Sequence, residues 1–438
     1  MDTEVADTEQ AAQLPPAPVV DPFRELIYVH NDIVGDANLS SSFGNGHWSF
    51  RWLVEQMTPV GMDPADFVEG WLQDFHATSV NGFAVSDRPG IDDFVARWPR
   101  RADGKLNLAK APFKLRAIMN RLDVAEQEHD IGEGRFVFAA VDPQFGFPMQ
   151  FTVIFEYNLP KLSANETVQQ SRTAWAKLFR NVGWVKKNGK LVPREINVLF
   201  NQELVKVTDK FAARGANPTG INRSALSQVR TNEIQLGNPW SMREFHLQSN
   251  GTLRIGTVAL TPDAEFNIFD PITGERSGDP RFDPETGAEL PPRTDRSAEL
   301  VSFLQANRSA VIAEQHKIPA AFLAGESLEN APFTNWTFEK GLVDEVLRRP
   351  FARNTCNGCH NAEEVQISGF YHVQPFDGFP ATADGKDRLS DFVKNDEVPR
   401  RTAFLQHQLC GGQCATPAGM TAQQGAAFQK AAKPVRHH

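Results

Sequence analysis

The residues of this chain that are best suited to chemistry are four cysteines and a histidine, all near the C-terminus. Cys356 and Cys359 are three positions apart and His360 follows directly, whereas Cys410 and Cys414 come about fifty positions later. A thiolate can bond to carbon, coordinate a metal or form a disulfide, and an imidazole can ligate a metal. Because no cysteine precedes Cys356, this chemistry is confined to the last quarter of the chain.

The stretch from Cys356 to His360, CNGCH, has the C-x-x-C-H spacing by which c-type cytochromes attach haem. Two thiols at this spacing can each form a thioether with one vinyl group of a haem, and the next imidazole can ligate the iron. The preceding residues, GLVDEVLRRPFARN, resemble the opening of a small class I cytochrome c domain. We therefore expect a haem c bound by Cys356, Cys359 and His360, used for electron transfer or other redox chemistry.

The second axial ligand of such a haem has three candidates. Met420 lies 60 residues after His360 in TPAGMTA, a proline-containing stretch like those that supply the methionine ligand in these domains. His372 is an equal candidate, and His407 ranks behind both. A sixth position with no protein ligand would instead indicate a sensor or an enzyme, in the latter case a haem-dependent oxidoreductase.

Three other interpretations of the cysteines remain open. Cys356, Cys359, Cys410 and Cys414 could bind zinc through four thiolates, although a C-x₃-C half-site is unusual and leaves His360 without a role. The cysteines could form only disulfides, in which case the chain is a structural or binding protein. A redox-active C-x-x-C pair is disfavoured, because no βαβ pattern surrounds it. With haem c, a Cys410–Cys414 disulfide is expected, because haem c is assembled in an oxidising compartment.

The order of predicted elements favours an α+β fold, in which a body of helices and antiparallel strands precedes a small, mostly α-helical, cytochrome c-like segment. Residues 1–22 are acidic and proline-rich and are predicted to be a tether. The body covers 23–340, with a turn-rich insertion at 266–296, and the haem-bearing segment covers 341–438. The sequence assigns no chemistry to the body.

Local periodicity predicts the elements of this body. Alternating residues predict a first strand at 23–34 and two hairpins, at 134–160 and at 243–260, the second turning at Ser249-Asn250-Gly251. Helical periodicity is found at 48–57, 65–75, 91–98, 110–123, 167–182, 203–215, 297–315 and 341–349.

Several pieces of the chain resemble a family of large exported proteins of Gram-negative bacteria. These pieces, which span residues 111–360, are APFKLRAIMNRLD, GEGRFVF, FTVIFEYNLP, the RTNEI and PWSMREF stretches, and NTCNGCH. The family brings no known activity, so the resemblance implies only export. The first 20 residues lack the basic and apolar regions of a signal peptide, so a periplasmic or secreted location requires a leader removed before Met1. A cytoplasmic protein is the alternative.

Composition and missing motifs exclude several classes of protein. The formal net charge of −9 argues against a nucleic-acid partner, and no stretch approaches the ~20 apolar residues of a membrane-spanning helix. The chain has no H-E-x-x-H, G-x-S-x-G, P-loop or G-x-G-x-x-G pattern. The redox partner or small-molecule substrate stays open. One dense polar group is expected to be a salt-bridge network rather than a catalytic acid–base pair: Arg230, Asn232, Glu233, Arg243 and Glu244.

Overall fold

The structure is a computed structural model that describes residues 17–124, 130–238, 240–266, 294–329, 336, 338, 341–360 and 371–411. Within these residues, helices combine with antiparallel sheets, so the predicted α+β class is confirmed. Most of the predicted tether at 1–22 and most of the insertion at 266–296 lie outside the described residues, as do Met420 and Cys414.

One antiparallel sheet dominates the fold. The strands are β1 (Ile27–Tyr28), β2 (Thr78–Val80), β3 (Phe83–Val85), β4 (Phe113–Arg121), β5 (Glu133–Val141), β6 (Pro148–Asn158), β7 (Trp184–Lys187), β8 (Lys190–Pro193), β9 (Leu226–Asn232), β10 (Trp240–Leu247), β11 (Leu253–Ile255) and β12 (Ser327–Glu329). The main sheet has the order β1-β4-β5-β6-β9-β10-β11, and β12 also pairs with β10. The pairs β2-β3 and β7-β8 form separate two-stranded ribbons.

The helices lie between and after these strands. They are α1 (Pro22–Glu25), α2 (Asn31–Val34), α3 (Ala37–Ser40), α4 (Phe50–Met57), α5 (Pro64–Leu72), α6 (Gly90–Arg97), α7 (Val168–Gly183), α8 (Val198–Ala212), α9 (Ser297–Ala306), α10 (Arg308–Ile312), α11 (Glu345–Arg353), α12 (Cys356–Cys359) and α13 (Val398–Leu409). A π-helical turn, Val393–Glu397, leads into α13.

Helices α4, α5, α7 and α8 cover one face of the main sheet with aromatic side chains. Phe50 of α4 stacks on Phe113 of β4, with ring centroids 4.2 Å apart. Phe211 of α8 packs against Phe136 of β5, and Trp71 of α5 meets Phe245 of β10 edge-on. Because each such ring is removed from water, this face forms the main hydrophobic core.

The C-terminal residues lie against the opposite face. Arg116 of β4 forms an ion pair with Asp377 at 2.6 Å, and Asp123, just after β4, forms one with Arg400 of α13 at 2.7 Å. Phe392 belongs to the same hydrophobic cluster as the sheet. The described part of the segment predicted at 341–438 therefore shares its core with the body.

Strand β4 corrects the helix predicted at 110–123. Phe113–Arg121 pairs with β1 and β5, and all of its residues except Lys114 are buried. Helices cover one face and the C-terminal residues the other, so both faces carry buried side chains and the alternation typical of a half-exposed strand is lost.

The strand predicted at 23–34 is also wrong for most of its length. Only β1 is extended, because Asp21 caps α1 and His30 caps α2 on either side of it.

Both predicted hairpins are confirmed, as β5-β6 and as β10-β11. Gly251, in the turn of the second hairpin, has a φ of +84°, the left-handed conformation that the Ser-Asn-Gly turn predicts. The helices predicted around 48–57, 65–75, 91–98 and 167–182 are present as α4, α5, α6 and α7. No helix in the described ranges has both the length and the apolar character needed to cross a bilayer.

Candidate functional site

The C-x-x-C-H motif folds as a single helical turn directly after α11. Thr355 caps this turn, and its hydroxyl oxygen accepts a hydrogen bond from the Gly358 N–H at 3.1 Å. The His360 N–H donates to the Cys356 carbonyl at 2.9 Å, which closes the turn. The indole N–H of Trp336 donates to the Thr355 hydroxyl at 2.7 Å and fixes the cap from outside.

Two further hydrogen bonds attach the motif to the body. The Cys356 N–H donates to the Thr261 hydroxyl at 2.9 Å, and the Asn357 N–H donates to the Ser327 hydroxyl of β12 at 3.0 Å. Because β12 pairs with β10, the motif has a fixed position relative to the main sheet.

The turn borders a cavity of about 1220 Å³, measured with its open mouth, between the main sheet and the C-terminal residues. Cys356 and Cys359 are reduced thiols, 5% and 4% exposed, and both line this cavity together with His360. Burial raises the pKa of the Cys356 thiol to about 11, although Arg230 acts in the opposite direction. Cys356 is therefore a neutral thiol at physiological pH.

A second histidine reaches the same place from the C-terminal residues. The ring centroid of His372 is 4.1 Å from that of His360, and the His372 Nε2 atom is 3.4 Å from the Cys359 sulfur. The His372 Nδ1 atom is 3.3 Å from the Ser390 hydroxyl, which fixes the ring. Burial, and then the neighbouring His360, hold the pKa of His372 well below its usual value, so its imidazole is neutral at pH 7.

The contact between these two rings limits what can bind. Metal–nitrogen bonds are about 2 Å long, so two imidazoles on opposite sides of one ion have nitrogens about 4 Å apart and ring centres still farther apart. The ring centroids of His360 and His372 are only 4.1 Å apart, which is closer than the ring centres of two such imidazoles. A planar group that enters between them must therefore separate the rings.

The sheet supplies a charged floor to the cavity. Alternate residues of β5 and β6 face it, and the end of β9 borders it as well. Arg135 of β5 forms an ion pair with Glu156 of β6 at 3.0 Å. Arg230 forms another with Glu244 of β10 at 2.9 Å.

The polar group singled out in the sequence divides between two sites. Arg230, Asn232, Arg243 and Glu244 line the cavity, and Arg243 also forms an ion pair at 3.3 Å with Glu233, which belongs to a fully buried network outside the lining. Each carboxylate thus has a guanidinium partner, as the salt-bridge interpretation expects.

A second charged group closes the other end of the cavity, near His372. Arg121, Arg400 and Arg401 surround Asp123 and Glu397 there. Sequence reasoning missed these residues, because the cluster joins β4 to α13 across about 280 positions of the chain. Arg135 carried a weak signal, since Gly132-Glu133-Gly134-Arg135 is a possible anion cradle at the start of a strand.

The structure brings four of the predicted site residues together: Cys356, Cys359, His360 and His372. His407, in α13, is not among the residues that line the cavity. Cys410 is disulfide-bonded. Among the described residues, no three His, Cys, Asp or Glu side chains form a group that could hold a metal ion.

Comparison of the chain with protein-family models, with curated proteins and with solved structures gives no match.

Proposed function

We propose that this chain is an exported, mono-haem c-type protein that transfers electrons or carries out haem-dependent redox chemistry. The observation that carries the proposal is that Cys356, Cys359 and His360 lie on one helical turn and line one cavity. A single group in that cavity can reach both thiols and the imidazole. In this proposal, Cys356 and Cys359 hold the haem through thioethers and His360 ligates its iron.

The lining of the cavity suits such a group. The described lining contains apolar side chains suited to a macrocycle, among them Met119, Val137, Ile154, Val258 and Phe392. It also contains seven arginines against four glutamates, although the whole chain has a net charge of −9. This local positive excess suits the two carboxylates of a haem.

When bound, haem supplies an iron centre that exchanges single electrons. The chain's own residues determine how that centre behaves. Among the residues that line this cavity, His372 would supply the second iron ligand, because it is neutral, held by Ser390 and packed against the ring of His360. Met420 stays a candidate from the sequence. If neither side chain ligates the iron, the open position indicates a haem-dependent oxidoreductase, and its small-molecule substrate enters from the mouth of the cavity.

The runner-up is a non-catalytic protein whose cysteines hold zinc or form disulfides. A four-thiolate zinc site needs Cys410 as a reduced ligand, whereas Cys410 is disulfide-bonded and Cys356 and Cys359 are not. This difference in redox state favours haem, and a disulfide at Cys410 is consistent with the proposed periplasmic or secreted location.

The test is to express the full chain behind an export leader in cells that contain the haem c maturation proteins. The expected product is red, gains the mass of one haem, and keeps its absorbance bands after denaturation. His360→Ala should alter the spectrum, and Cys356→Ala with Cys359→Ala should abolish covalent attachment.

Cys410→Ser with Cys414→Ser is the matched control, because it removes two cysteines outside the motif. It should leave the haem in place and cost at most the ~2–4 kcal/mol typical of a lost disulfide. A colourless, zinc-containing product that unfolds in this double variant, while His360→Ala has no effect, would contradict the proposal.

A further inference from the structure

The charged group near His372 has more cationic than anionic side chains. Arg121 donates to Asp123 at 2.9 Å, and Arg400 bridges Asp123 and Glu397 with N–O distances of 2.7 and 2.8 Å. Arg401 forms an ion pair with Glu397 at 2.8 Å. We call these five residues the arginine cluster. Three guanidinium groups face two carboxylates, so the arginine cluster carries one positive charge that it does not neutralise itself.

Near neutral pH, Asp123 and Glu397 are both ionised, so the arginine cluster has a net charge of one positive unit. Burial opposes ionisation of Glu397, but Arg400 and Arg401 outweigh it and hold the pKa of Glu397 well below its usual value. Burial likewise opposes ionisation of Asp123, and Arg121 and Arg400 outweigh it, so the pKa of Asp123 is also lowered. Burial lowers the pKa of Arg121 to about 10, which leaves it charged at pH 7.

Two nitrogen atoms of the arginine cluster are buried without a hydrogen-bond partner in the described part of the chain. They are the Nη1 atoms of Arg400 and Arg401. Arg401 is only 5% exposed, and both side chains line the cavity. A buried guanidinium N–H without an acceptor is costly, and a carboxylate is the acceptor whose geometry fits two adjacent guanidinium groups.

The geometry points to a carboxylate-binding site at this end of the cavity, formed by Arg400 and Arg401 and supported by Arg121. The carboxylate has two possible sources. One is a haem propionate, which rests on the function proposed above. The other is the carboxylate of a free small molecule, and this source does not depend on the proposed function.

The variant that tests the site is Arg401→Lys. Lysine keeps the positive charge and can keep the ion pair with Glu397, but it cannot offer a fixed pair of nitrogens to two acceptors at once. Arg116→Lys is the matched control, because Arg116 is buried on the same sheet and forms an ion pair with Asp377, but does not line the cavity. Arg400→Lys is a second test variant in case Arg401→Lys does not fold.

Two titrations of the full chain, purified without haem, separate the sources. The first compares haemin with haemin dimethyl ester, in which both propionates are esterified and uncharged. The second uses benzoate, a simple carboxylate, and follows the melting temperature. In the haem-loaded chain, the propionate bending band of the resonance Raman spectrum gives an independent readout.

If the source is a propionate, wild type binds haemin about tenfold or more tightly than the ester, and Arg401→Lys loses most of this preference while Arg116→Lys keeps it. The Raman band then shifts in Arg401→Lys alone. If the source is a free carboxylate, benzoate stabilises the wild type and not Arg401→Lys, with or without haem present.

The remaining outcomes separate this site from the proposed function. A chain that binds no haem but binds benzoate through Arg401 supports the site and refutes the haem proposal. A chain that binds haemin and its ester equally well, and does not respond to benzoate, keeps the haem and overturns the carboxylate site.

Discussion

Gly358, inside the C-x-x-C-H motif, is a position that has no room for a single added methyl group. A Cβ atom there would overlap the carbonyl oxygen of Ala352 in α11 and would lie 2.7 Å from both the Ala352 carbonyl carbon and the Thr355 hydroxyl. The overlapping atoms belong to the backbone and to the cap of α12, so no side chain can turn aside. Overpacking of this kind typically costs about 1–3 kcal/mol. We expect Gly358→Ala to lower the free energy of unfolding by that amount.

The assay is urea unfolding of the full chain, followed by circular dichroism and tryptophan fluorescence. Gly70→Ala is the control, because Gly70 lies inside α5 and a Cβ there would meet no atom within 4 Å. Alanine has a higher helix propensity than glycine, so this control should stabilise the protein by about 0.5–1 kcal/mol.

The two substitutions should therefore change the free energy of unfolding in opposite directions. In the haem-loaded chain, Gly358→Ala should also lower the yield of covalent haem, since the motif can no longer lie against α11. Ordinary surface substitutions change the free energy of unfolding by about 0.5 kcal/mol or less. If Gly358→Ala changes it by no more than this, the close approach of α11 and α12 is not as described.

Three further predictions concern the body and the histidine pair. Gly251→Val should destabilise the β10-β11 hairpin, because φ is +84° there and a Cβ would lie 2.8 Å from Pro59; equal melting temperatures for variant and wild type would contradict this. Phe50→Ala should lower the free energy of unfolding by about 3–5 kcal/mol, because the Phe50 ring packs against Phe113, Phe138 and Phe155. Urea unfolding measures this change, and a decrease of less than about 1 kcal/mol would refute the packing. The pKa of His372 is lowered in the folded state, so the unfolded chain binds a proton that the folded chain does not, and stability is lost as the pH falls below about 6.5. Because of this proton, the free energy of unfolding of the haem-free chain should fall by up to ~1.4 kcal/mol per pH unit. Urea unfolding from pH 7 to pH 5 should show a smaller fall in His372→Phe than in wild type, and equal falls would exclude His372 as the cause.

The parts of the fold that the sequence predicts are those in which local chemistry decides the structure. The Ser249-Asn250-Gly251 turn determines a hairpin by itself, since few other residues accept a positive φ. By contrast, β4 owes its extended form to pairing with β5, the next strand, and with β1, which is distant in sequence. Its buried faces hide the alternation that would reveal a strand.

The candidate site divides in the same way. Cys356, Cys359 and His360 are recognisable because their chemistry depends on contiguous spacing. Arg121 and Arg401 have no local signature, because each is one of many arginines until β4 and α13 meet. His372 was a candidate only by its distance from the motif, and its contact with His360 results from the path of residues 371–390 along the sheet.

The burial of the two motif thiols constrains the order of events during biogenesis. Cys356 and Cys359 are almost inaccessible once the C-terminal residues lie against the sheet, so no enzyme could act on them in the finished fold. A haem attached through them must be joined while this part of the chain is still open. Contacts between residues so distant in sequence are slow to form, because a long loop must close first. If the chain carries haem c as proposed, that delay would give the attachment machinery time to act, and a variant that accelerates docking of α13 would shorten this time.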